Sequence, residues 1–143
     1  MSAAGMAAHS AERQIIRVDP ESRPVLAVVI HTEEEVDWNK PHDRNATSVA
    51  HMRHLDRAQK VFDAFGIVPN YVVDYPIATQ AEAFGPLKVY ADAGRALIGA
   101  HLHPWVSPPH DEEVNARNSY PGNLPRALEH EKLRVPTERI TAA

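Results

Sequence analysis

Three short apolar runs constrain this chain most, because each breaks off into ionisable residues: "VLAVVI" before His31 and Glu33, "YVV" before Asp74, and "ALIGA" before His101 and His103. Unbroken β-branched and aliphatic runs of this kind read as strands of a parallel sheet buried on both faces. They place the first strand over Val25 to His31, the second within "IVPNYVVDY", ended by Pro76, and the third over "ALIGAHLH". Between the first two strands, Val49, Met52, Leu55, Val61, Phe62 and Phe65 recur at helical spacing. Thr47 or Ser48 is the expected N-cap of that helix, and Gly66 stands at its end. Residues from about Ala78 to Ala93 read as a second helix, broken or kinked near Gly85-Pro86 and stopped by Gly94. A long proline-rich and polar loop, Pro104 to Pro125, then leads to a charged helix, "RALEHEKLR", expected to stop at Pro136. The order β-α-β-α-β requires right-handed crossovers and gives an α/β fold, a parallel sheet clothed by helices.

A chain of 143 residues, 43% hydrophobic and 24% charged, suits one compact domain. The domain is expected over 21–143, with 1–20, small, polar and weakly periodic, as a flexible lead-in. A net charge of -4 and a pI near 6.1 argue against nucleic acid or an anionic membrane as partner, since either favours a basic patch. The opening "MSAAGMAAHSAERQ" lacks the basic start and long apolar run of a signal peptide or membrane span, so a cytoplasmic location is expected. Cysteine is absent, so any metal must be held by nitrogen and oxygen.

In parallel α/β folds ligands gather beyond the carboxyl ends of the strands, where loops vary while the sheet fixes their roots. His31, Glu33, Asp74, His101 and His103 all fall there. Residues two apart in an extended segment share a side, so His31 can align with Glu33, and His101 with His103 and Gly99. Pro104 holds His103 extended. Two imidazoles and a carboxylate form a typical ligand set for catalytic zinc, which takes about three protein groups and leaves a position for water. Plainer roles compete with these. His31 alone can be a hydrogen-bonded structural residue, and Asp74 can cap the turn at Tyr75-Pro76. Glu34 and Glu35 read as a solvated charge run, His51 and His54 as surface residues, and His110 as a loop residue. Trp105 and Tyr120 either pack the long loop down or wall a pocket.

The blocks "HTEEEVDW", "YVVDYPIAT", "IGAHLHPWVSPP" and "SYPGNLP" resemble the polysaccharide deacetylase family (NodB-like), in particular its WalW-type branch. The resemblance runs in order from Val25 to Leu133 and implies the N-terminal part of an incomplete, distorted β/α barrel. It also implies metal-dependent hydrolysis of an amide, usually the N-acetyl group of an amino sugar. Carried over residue by residue, His31 takes the position of the general base, usually an aspartate, and Glu33 that of a metal ligand. An imidazole suits a base role, its ordinary pKa of about 6.5 lying near the working pH. His101 matches the first histidine of the second motif. Trp105 stands where a second is usual, so His103 must substitute for it. The expected site is therefore His31 and Asp74 for catalysis, Glu33, His101 and His103 on a divalent metal with zinc favoured, and Trp105, Tyr120 and Asn123 on the carbohydrate. Family members continue beyond "ALEHEKL" through further strands, so the chain is expected to be a fragment or shortened relative that associates with itself through exposed sheet edges. The alternative function is a non-catalytic half-barrel remnant with a scaffold or binding role. A receiver or nucleotide-binding domain shares the strand order, but no glycine-rich phosphate loop follows the first strand.

Overall fold

The computed structural model of the protein describes residue 17 and residues 19–142, so the lead-in expected over 1–20 falls almost wholly outside the described residues. Three parallel strands, β1 (Val29–Thr32), β2 (Asn70–Val73) and β3 (Leu97–Ala100), lie side by side in that order. Their register pairs His31 with Val72 and Val72 with Gly99. Four α-helices accompany them: α1 (Leu55–Ala64), α2 (Tyr75–Thr79), α3 (Ala81–Asp92) and α4 (Arg126–Ala142). The ladder extends one step past the strands, Asp74 N–H donating to Thr32 O at 3.3 Å and His101 N–H to Val73 O at 2.8 Å. Those two bonds fix where the polar residues at the strand ends emerge.

The first strand is shorter than its apolar run. Pairing reaches back only to Val28 O, which accepts from Asn70 N–H at 2.8 Å, and Val25 and Leu26 are 91% and 76% exposed. β2 begins at Asn70, so earlier residues have no neighbouring strand to meet. The sheet also differs from the expected two-sided burial. Ile30, Tyr71, Val73 and Ile98 pack into a core with Met52, Ile77, Ala83 and Leu87. On the opposite face Val29 and Leu97 are more than half exposed. The cause is topological: right-handed crossovers between strands taken in the order 1-2-3 put every intervening helix on one side.

The helices follow the predicted periodicity with shifted boundaries. A 3-10 turn (Ala50–His54) leads into α1, and neither Thr47 nor Ser48 caps it. Glu35 takes that role instead, accepting from His51 N–H at 3.1 Å and from the Ser48 hydroxyl. The buried stripe runs Met52, Leu55, Gln59, Phe62, while Val61 and Phe65 face out. The expected second helix is two helices, parted at Gln80, whose ψ is 119°. Pro76 lies in the first turn of α2, where a missing N–H costs nothing, and α3 runs through Gly85-Pro86. Pro136 does not end α4. Its ring is buried, and Ile140, one turn further, packs against the core. That burial offsets the roughly 3 kcal/mol an interior proline costs a helix. No helix among the described residues is long and apolar enough to cross a membrane.

Candidate metal centre and adjoining pocket

Past Thr32 the chain leaves the ladder, and its three successive glutamates diverge. Glu33 turns toward the end of β3, Glu34 goes inward and is 2% exposed, and Glu35 goes outward to cap the 3-10 turn. Glu33 Oε2 lies 3.3 Å from His101 Nε2, 3.4 Å from His103 Nε2 and 3.7 Å from His31 Nδ1. The His31 and His101 rings are 4.4 Å apart, and those of His101 and His103 4.7 Å. Glu33 Oε2 and His101 Nε2 are buried and make no hydrogen bond. Leaving such groups unsatisfied costs about 1–3 kcal/mol each, more when charged. A shared cation would satisfy both. Ligand atoms about 2.1 Å from a tetrahedral ion sit about 3.4 Å from one another. The distances from Glu33 to the two imidazoles match that spacing, and the ligand atoms of His31, Glu33 and His101 all lie within 4.8 Å of one another, as do those of Glu34, Asp74 and His103, so the residues present fit a metal.

Behind this group lies a buried support. Glu34 Oε2 is 2.8 Å from His103 Nδ1, and Glu34 Oε1 accepts from the Trp105 indole N–H at 2.9 Å. A carboxylate there calls for a proton on Nδ1, which leaves Nε2 as the lone-pair nitrogen facing Glu33, the usual arrangement behind a metal-ligating histidine. Asp74 holds Glu34 in turn, its Oδ2 accepting from the Glu34 backbone N–H at 2.9 Å and its Oδ1 from Ile77 N–H at 3.0 Å. Burial, then the neighbouring Glu34 carboxyl, pushes Asp74 up to about 8. Burial also raises Glu34, against hydrogen bonds that lower it. His101 is lowered by burial and then by the charges that His103 and His31 would carry, and burial lowers His103. Both shifts favour the neutral imidazole, the form that can donate a lone pair to a cation.

A cavity of about 600 Å³ opens beside the centre, walled by Trp38, His42, His101, His103, Trp105 and Tyr120 among others. Trp105 is sandwiched between His42 at 4.1 Å and His103 at 4.3 Å, nearly parallel to both, so neither of its faces is free for a ligand. Trp38 meets the His42, His103 and Trp105 rings near perpendicular at 6.2, 6.2 and 6.4 Å yet stays 65% exposed, and Tyr120 is 68% exposed.

Of the residues singled out in the sequence, His31, Glu33, His101 and His103 come together, and Trp105 and Tyr120 both line the cavity. Asp74 sits behind them as the N-cap of α2 and the prop of Glu34. Asn123 lies outside the cavity wall, its side-chain amide donating to Arg117 O at 2.8 Å. His51, His54 and His110 are exposed and away from the centre. Sequence reasoning missed Glu34, Trp38 and His42. For Glu34 the only signal is a third acid at a strand end already facing His103 and Trp105 across the sheet. Compared with protein-family models, curated proteins and solved structures, the chain matches none.

Proposed function

We propose that the chain is a metal-dependent amide hydrolase of the polysaccharide deacetylase kind, removing an N-acetyl group from an amino sugar. The observation that carries this reading is the approach of His101 Nε2 and His103 Nε2 to Glu33 Oε2, at 3.3 and 3.4 Å, with Glu33 Oε2 and His101 Nε2 buried and unpartnered. Glu33, His101 and His103 would hold the ion, zinc being favoured by the nitrogen and oxygen donors. A divalent cation, when bound, supplies polarisation of a carbonyl and acidification of water.

The chain's own residues do the rest. His31, whose side chain is 65% exposed beside Glu33, takes the proton of the attacking water. As the C–N bond breaks, the same imidazole returns that proton to the departing amine, leaving acetate and a free amino group. Glu34 keeps His103 in the tautomer that ligates. The exposed rings of Trp38 and Tyr120 flank the cavity where a pyranose would lie. The test is acetate release from N-acetylated oligosaccharides, together with zinc content near one equivalent. Activity persisting in a His101→Ala, His103→Ala double variant overturns the reading.

The bare face of the sheet, with Val29 56% and Leu97 60% exposed, favours a second reading: a half-barrel scaffold that assembles with another chain or itself. A monomer that turns over substrate excludes it.

A further inference from the structure

Lys132 is fully buried on α4, an unusual place for an ammonium, and nothing in the proposed reaction uses it. Its Nζ donates to Pro104 O at 2.9 Å and to Ser107 O at 2.5 Å, and lies 2.9 Å from Glu112 Oε2. Pro104 and Ser107 bracket the turn that directly follows His103 and contains Trp105. Glu112 is held from the other side by Arg44, which donates to the carbonyls of Glu112 and His110 and lies 3.5 Å from Glu112 Oε1. Arg44 belongs to the loop after β1, which also carries Trp38 and His42. One ionic chain, buried at Lys132 and Glu112 and part-exposed at Arg44, therefore ties together α4, the turn beyond His103 and the loop whose His42 ring stacks on Trp105.

Resting on the metal reading above, we infer that Lys132 is the positioning residue of the centre: by gripping the Pro104 and Ser107 carbonyls it sets the His103 and Trp105 side chains on Glu34. A buried ammonium has three donors and no acceptor, so it enforces a fixed carbonyl cage in a way no apolar side chain can. It also suffers for its burial, which lowers its pKa despite Glu112. An apolar residue would fill the same space without that cost. Helix α4 needs no charge there for its own sake, since Ile140 and Pro136 already seat it.

The test compares the full chain with Lys132→Met, which keeps length and volume but donates nothing. Two readouts are taken besides thermal unfolding: Co2+ titration by visible absorption, and, without metal, the NMR resonances of the His103 Nδ1–H and Trp105 Nε1–H that meet Glu34. Lys132→Met is expected to weaken Co2+ binding by about 10–100-fold, as loss of outer support does elsewhere. Both N–H resonances should move toward solvent-exposed positions. Tyr71→Phe, a core change remote from the turn, serves as the control and should lower stability while leaving Co2+ affinity and both resonances in place. A folded Lys132→Met protein with parental affinity and parental resonances overturns the inference, as does a Tyr71→Phe protein that loses them equally. If Lys132→Met fails to fold, Glu112→Gln is read the same way. A parent chain that binds no Co2+ removes the metal reading alone, and the two resonances still decide the role of Lys132.

Discussion

Glu34 shows how far a single side chain can depart from what its neighbours suggest. Flanked by two other glutamates, it reads as one solvated charge among three, yet it is buried and holds both His103 and Trp105. Glu34→Gln keeps its shape but sets an amide against the two N–H donors and removes the charge that fixes the His103 tautomer. Zinc affinity, measured by competition with a chromogenic chelator, should fall by about 10–100-fold. Unchanged affinity would make Glu34 a mere filler of space. The proposed ligands Glu33, His101 and His103 were legible because period-two alternation at a strand end depends only on local geometry. The prop was not, because its burial depends on Asp74 and Trp105, 40 and 71 positions away. Tyr71 makes a second residue-level case. Its phenol, fully buried, donates to Gln59 Oε1 at 2.9 Å, and burial pushes it up to about 12. A phenol raised above its unfolded value near 10 contributes stability that is whole below pH 10 and lost as pH climbs toward 12. Over that window the protein should lose about 2 kcal/mol more stability than Tyr71→Phe does, by denaturant unfolding at each pH. Comparing the two cancels Lys132, whose lowered pKa works in the opposite sense. Parallel pH curves for the two proteins would count against it.

At the level of elements, the two glycine stops were legible and the proline stops were not. Gly66 and Gly94 adopt φ of 64° and 68°, the left-handed region that punishes a Cβ. Each closes its helix with the same pair of bonds: Gly66 N–H to Asp63 O and Ile67 N–H to Phe62 O, then Gly94 N–H to Ala91 O and Arg95 N–H to Tyr90 O. The caps also meet, because Arg95 pairs with Asp63 and Gln59 donates to Arg95 O at 3.1 Å. Glycine acts through its own backbone, so sequence reveals it. Pro76 and Pro136 are tolerated for reasons of place, a first turn and a buried ring, that sequence alone does not show, and α3 runs on through Pro86 as well. Gly94→Ala leaves free space for the methyl but strains the backbone, so it should destabilise by about 1–2 kcal/mol. Thermal unfolding checks this, and a variant as stable as the parent would mean the cap has re-formed some other way.

For the whole molecule, the decisive feature is a sheet covered on one side. The run "VLAVVI" announced a strand buried on both faces, and the fold honours that only on the helical face, through Ile30, Tyr71, Val73 and Ile98. The other face presents Val29 and Leu97, with β1 and β3 as the edge strands. Parallel sheets rarely leave a face uncovered, and apolar surface of this sort is usually met by another surface. The chain should therefore associate with itself in a concentration-dependent way, seen by sedimentation velocity. Lysine is the residue natural sheets use to blunt such surfaces. Val29→Lys with Leu97→Lys should shift the population to monomer. Both positions lie at the opposite ends of their strands from the proposed metal ligands, about 13 Å away along the chain at ~3.3 Å per residue, so Co2+ affinity should be unaffected. A parent chain that stays monomeric at every concentration would show that the bare face is tolerated. Association that persists in the double variant would place the contact on another part of the surface.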